Sequence, residues 1–139
     1  MTVGQFEVAQ AYAKTAQSTV EAGPLLLVRL YDRLAHELQL AKEFIGVGDP
    51  MRANLSLQHA QKIVHVLRSS LEPDGFDGGH TLLRLYNTLV EQLVQANLYK
   101  DIAVIERCQE IVAPLHQAWS EAVAREMQRT VADAVVGVG

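Results

Sequence analysis

One domain of ordinary size fits a chain of 139 residues, and two do not. Hydrophobic residues at 49% and charged residues at 20% supply a packed core and exclude wholesale disorder. Twelve Lys and Arg against sixteen Asp and Glu leave a formal charge of -4, which speaks against a broad face for nucleic acid or anionic lipid.

Residues 1–22 hold few strong apolar anchors, chiefly Phe6, Val8 and Tyr12, so a short, mobile helical segment is expected there. From Pro24 onward the apolar spacing is helical. Leu27, Leu30, Tyr31, Leu34, Leu38, Ala41 and Ile45 step by three or four residues, the mark of one buried face, and Gly46 and Gly48 close the pattern. Asp49 followed by Pro50 is an N-cap acceptor before a first-turn proline. The second stripe runs Ala53, Leu57, Ala60, Val64, Leu67 and Leu71, and ends at Pro73 and its glycine-rich neighbours. The third is Leu82, Leu85, Tyr86, Leu89, Leu93 and Ala96, with Asn97 as its expected end and Asp101 as the next cap. The fourth is Val104, Ile105, Cys108, Ile111, Val112, Leu115, Trp119 and Val123, with Pro114 inside it as an expected kink.

No stretch alternates with period two between turn dipeptides, so no strand is predicted. Four helices of about 20 residues, each about 30 Å long, joined by short loops should pack as antiparallel neighbours. The predicted fold is an all-α antiparallel four-helix bundle over residues 23–129. The valine-rich end, 130–139, is expected to fray.

Chemistry is hard to place. None of His36, His59, His65, His80 and His116 has Glu three residues before it, as a di-iron bundle requires. His59 and His65 are six apart and so face different ways on one helix. Cys108 is the single cysteine, which excludes an internal disulfide and a cysteine-rich zinc site; it falls on a core stripe with no histidine within a turn. The loop Asp74–Gly79 lacks the ligands of a calcium loop and the lysine of a phosphate loop. No serine or threonine sits in a nucleophile elbow. No enzyme, metal or cofactor is expected. The apolar run Leu25 to Val28 is far short of the roughly 20 residues of a bilayer span, and Met1–Ala16 lacks the form of a secretory signal. A soluble, cytoplasmic protein is expected.

Surplus apolar surface is the more useful signal. At about 100° per residue, Leu83, Val90 and Val94, with Leu98 at the margin, fall beside the third core stripe. Leu55, Ile63 and Val66 fall away from the second, and Leu26, Leu40 and Phe44 off the first. These residues either widen faces inside the bundle or line grooves that receive another helix.

The ordered set Leu30–Tyr31–Asp32, Asn54, Leu85–Tyr86, Gln95–Ala96–Asn97 and Ala118–Trp119 resembles the FliS family of flagellar export chaperones, over roughly Ala11 to Ala122. Two positions depart from the family pattern. Val20–Glu21–Ala22–Gly23–Pro24 stands where members often have Thr-Ala-Ser-Pro, and Thr88 where a second aromatic is frequent.

The resemblance implies an antiparallel helical bundle that binds the C-terminal segment of newly made flagellin. It further implies that the chaperone prevents premature polymerisation and helps delivery to the flagellar type III export apparatus. Implied partners include the export gate and an anti-sigma factor. Tyr12 matches a family tyrosine whose N-terminal stretch can cover part of the binding surface. The expected partner-binding residues are Tyr12, Leu55, Ile63, Val66, Leu83, Val90, Val94 and Leu98. A monomer or weak homodimer is expected. Two other readings compete: a histidine phosphotransfer bundle using His59 or His36, and a self-associating bundle whose surplus stripe is its dimer interface.

Overall fold

Four helices follow one another in the computed structural model, which describes residues 23–138: α1 Gly23–Gly46, α2 Pro50–Ser69, α3 Gly79–Tyr99 and α4 Ile102–Val138. Tyr12 and the rest of the expected N-terminal segment lie outside the described residues. Helix α1 packs on α2 and α4, and α3 packs on the same two, so the helices close a ring around one core. The core holds the apolar stripes read above, with Tyr31, Tyr86 and Trp119 its largest fully buried side chains. The all-α bundle is therefore as expected.

Each connection has a local cause. Gly48 takes a positive φ of 78°, and Asp49 then caps α2, its Oδ1 accepting from the Arg52 amide at 3.1 Å. Between α2 and α3 a single 3₁₀ turn, Pro73–Gly75, forms in a stretch read only as a loop. His80 is tied to Asp74 across that turn at 2.6 Å. Gly79 is obligatory here, because a Cβ at that position would lie 2.1 Å from the Pro73 carbonyl oxygen.

Helix α3 does not end at Asn97 but two residues later, at Tyr99. Lys100 then adopts the left-handed conformation, φ 51°. Its ammonium donates back to the Asn97 carbonyl and side-chain oxygens, at 2.5 and 2.8 Å. That bonding offsets part of the cost of a left-handed non-glycine residue. Asp101 caps α4 as expected, accepting from the Ala103 amide at 3.0 Å.

Helix α4 is continuous through Pro114, although proline offers no N–H to the Glu110 carbonyl. It runs on as helix to Val138, across the stretch expected to fray, and residues 127–137 are all exposed. Helical geometry there is not backed by packing on the bundle.

Cys108 is fully buried, and burial pushes its thiol up to about 11 from an ordinary 9.0, while Arg107 pulls the other way. The folded chain keeps this proton where the unfolded chain releases it. Its contribution to stability is complete below pH 9.0 and disappears as pH climbs to about 11. Urea unfolding over that range should show a steeper alkaline loss in the natural protein than in a Cys108→Val variant. Labelling of the thiol near neutral pH should proceed only as fast as unfolding.

Candidate functional site: an apolar groove between α2 and α3

The residues of the recognised motif set turn out to fasten the bundle to itself. Tyr31 on α1 and Tyr86 on α3 share a buried hydrogen bond between their hydroxyls, 2.6 Å, across the centre of the ring. Trp119 on α4 tilts against the Tyr31 ring at 6.2 Å. His116 stacks on Tyr31, 6.4 Å between ring centroids, and hydrogen-bonds to Asp32, so α1 and α4 are joined by a polar contact as well as by packing. The Asn97 side-chain amide donates to the Asn54 oxygen at 2.7 Å, joining α3 to α2. Ala96 is buried beside it, while Leu30 and Leu85 are half-buried against the core. Thr88 is exposed, so the departure from the family's second aromatic does not touch the core.

The remaining histidines are on the surface. His59 lies 3.6 Å from the buried Glu37 carboxylate, which Arg33 holds at 2.7 Å, and so belongs to the α1–α2 contact. His65 bonds to Arg68, and His36 is exposed. Among the described residues no three histidine, cysteine or carboxylate side chains converge in a way that could hold a metal.

The partner-binding candidates divide into two sets. Ile63, Leu83 and Val90 are half-buried and packed against the core, so they chiefly widen the faces of their own helices. By helical rotation Ile63 falls on the flank of α2 that carries His59 toward α1, not on the flank facing α3. Leu40 and Phe44 are likewise half-buried, and Phe44 is covered by the Arg52 guanidinium at 5.9 Å. Four residues remain open to solvent: Leu55 at 53%, Val66 at 50%, Val94 at 51% and Leu98 at 71%.

Leu55 and Val66 sit on the outer face of α2, with Val66 turned by helical rotation toward the His59 flank, and Val94 and Leu98 lie on the edge of α3 that faces α2. The Asn54–Asn97 bond bridges the two helices at one end, and the Arg68–Asn87 bond, 3.1 Å, at the other. Two adjoining hollows open at the Asn54 end. One, of ≈ 430 Å³, is lined by Gln61, Val94, Asn97 and Leu98. The other, of ≈ 570 Å³, is lined by Met51, Arg52 and Leu55, and both include Asn54 and Lys100. Met51, 80% exposed, extends the apolar surface in a way the core stripes did not signal. What this arrangement can do chemically is bind: its walls carry aliphatic groups, amides and the cations Arg52 and Lys100, and no nucleophile paired with a base. Among the described residues no helix is long and apolar enough to cross a membrane.

Comparison with known proteins gives the same family. The model of the family described as flagellar protein FliS matches residues 6–126. The flagellar secretion chaperone FliS of Bacillus subtilis (strain 168) is 28% identical over 116 residues, 84% of this chain and 86% of the relative. That of Escherichia coli (strain K12) is 29% identical over 119 residues, 82% of this chain and 88% of the relative. That of Salmonella typhimurium is 27% identical over 117 residues, 81% and 87% respectively. The match spans all four helices up to the projecting end of α4, and it includes every motif residue that fastens one helix to another. The chain belongs to the FliS family of flagellar proteins.

Proposed function

We propose that this protein is a cytoplasmic flagellar export chaperone that holds the C-terminal segment of flagellin along the α2–α3 groove. It keeps that segment from polymerising and hands it to the flagellar type III export apparatus. The supporting observation is the exposed aliphatic set Leu55, Val94 and Leu98 around the two hollows, with Val66 farther along the outer face of α2, on a bundle whose relatives are named secretion chaperones. Flagellin's terminal segments make helix-to-helix contacts in the filament, so their apolar stripe has to be masked before export. Aliphatic side chains mask such a stripe with little demand on sequence.

Burying about 1,000 Å² of apolar surface would favour binding by roughly 25 kcal/mol gross. Ordering a disordered partner and immobilising it take back most of that. A tight but releasable complex follows, with no catalytic step and no cofactor. The export gate and an anti-sigma factor are further proposed partners. Calorimetry should give one-to-one binding of a C-terminal flagellin peptide with a negative heat-capacity change. Absence of binding to the flagellin of the same cell would overturn the proposal.

A further inference from the structure

The chain is acidic overall, yet its charges are unevenly placed. Helix α4 carries five carboxylates, Glu106, Glu110, Glu121, Glu126 and Asp133, against three arginines. Helix α2 carries Arg52, Lys62 and Arg68 and no carboxylate at all. Helix α3 adds Arg84 and a single carboxylate, Glu91, and Lys100 follows it.

Four described cations pair with carboxylates: Arg33 with Glu37 at 2.7 Å, Lys42 with Glu106 at 3.5 Å, Arg52 with Asp49 at 3.4 Å, and Arg129 with Glu126. Lys62, Arg68 and Lys100 have no carboxylate partner among the described residues. Among the described residues Lys62 makes no hydrogen bond or ion pair, and it is exposed. Arg68 spends its donors on the Asn87 oxygen and the His65 ring. Among the described residues Lys100 bonds only to Asn97. Lys62 lies one turn from Val66 and two from Leu55, Lys100 lines both hollows, and Arg68 reaches across to α3, so three charges without a carboxylate partner stand near the exposed aliphatic residues.

Resting on the proposed use of this groove, we infer that its occupant is an amphipathic helix of another protein, with carboxylates flanking its Leu, Ile or Val stripe. The aliphatic strip supplies area, and Lys62, Arg68 and Lys100 supply orientation and choice of partner. Charge at the edge of an apolar contact acts mainly in this way, discriminating between partners and speeding encounter. It also makes binding sensitive to salt, since the Debye length shrinks from about 10 Å at 0.1 M to about 3 Å at 1 M.

The test uses the full chain and two synthetic helical peptides that share one Leu/Val stripe, one flanked by Glu and the other by Lys. Three exposed pairs should make the Glu peptide bind about tenfold more tightly at low salt. That preference should shrink toward unity near 1 M salt, and a Lys62→Glu/Lys100→Glu variant should reverse it. Equal affinities, or a preference that survives the charge reversal, overturn the inference and leave the apolar groove standing. Binding of the flagellin tail but of neither peptide also overturns it alone, whereas binding of none of the three removes the groove as well.

Two further outcomes would reassign the strip. A spin label on Tyr12→Cys that broadens the Val94 and Leu98 methyl signals of the free chain would give it to the chain's own N-terminus. A dimer that either peptide dissociates in sedimentation would give it to a second copy.

Discussion

Replacing Trp119 by alanine should lower the free energy of unfolding by about 3–5 kcal/mol, the usual cost of truncating a buried aromatic. Trp119 is fully buried and lies where α4 meets the Tyr31 ring of α1, which in turn bonds to Tyr86 of α3. Three of the four helices converge on this junction, so a cavity there has no single side chain able to fill it. Tyr31→Phe, which removes one hydroxyl and keeps the ring, should cost only about 1 kcal/mol. Urea unfolding followed by circular dichroism separates the two. A loss below about 1 kcal/mol for Trp119→Ala would mean that the junction is not what holds α4 to the bundle.

Aspartate at both Val94 and Leu98 should weaken binding of a flagellin C-terminal peptide at least about 100-fold. Each substitution forfeits roughly 1.5 kcal/mol or more of side-chain burial in the complex and places a carboxylate against an apolar surface. Both residues are at least half exposed in the free chain, so the bundle itself should lose no more than about 0.5 kcal/mol. Leu83→Asp is a poor substitute for this experiment, because Leu83 packs against the core and its loss would damage fold and groove together. Unchanged affinity in the double variant, with helix content intact, would show that the partner does not seat on this edge of α3.

Much of this architecture is legible in the sequence because helical rotation is regular. Apolar residues three and four apart must share a face, so the buried stripes and the Asp49–Pro50 start could be read directly. What rotation alone does not fix is the width of each buried arc, which depends on the neighbours a helix meets in the ring. Ile63, Leu83 and Val90 looked like surplus for that reason, and adjoining helices half cover them.

Long-range pairings are equally out of reach of spacing. The Asn54–Asn97 bond joins residues 43 apart in the chain, and the Asp32–His116 pair joins residues 84 apart. Only the motif resemblance singles out Asn54 and Asp32, without a geometric reason for them, and helix periodicity marks Asn97 merely as a helix end. The end of α3 went two residues further than Asn97 because Lys100 can reach back to cap it, an interaction that its residue type does not announce. Charge placement is a third case: the net charge of -4 hides a helix with three cations and no carboxylate.

Methyl resonances of the full chain, followed while a C-terminal flagellin peptide is added, report on the groove most directly. The account predicts saturable shifts at Leu55, Val66, Val94 and Leu98, with core methyls such as Leu34 and the projecting Val131 and Val135 little affected. Shifts confined to α1 and the end of α4, with the α2–α3 strip unmoved at saturation, would contradict it.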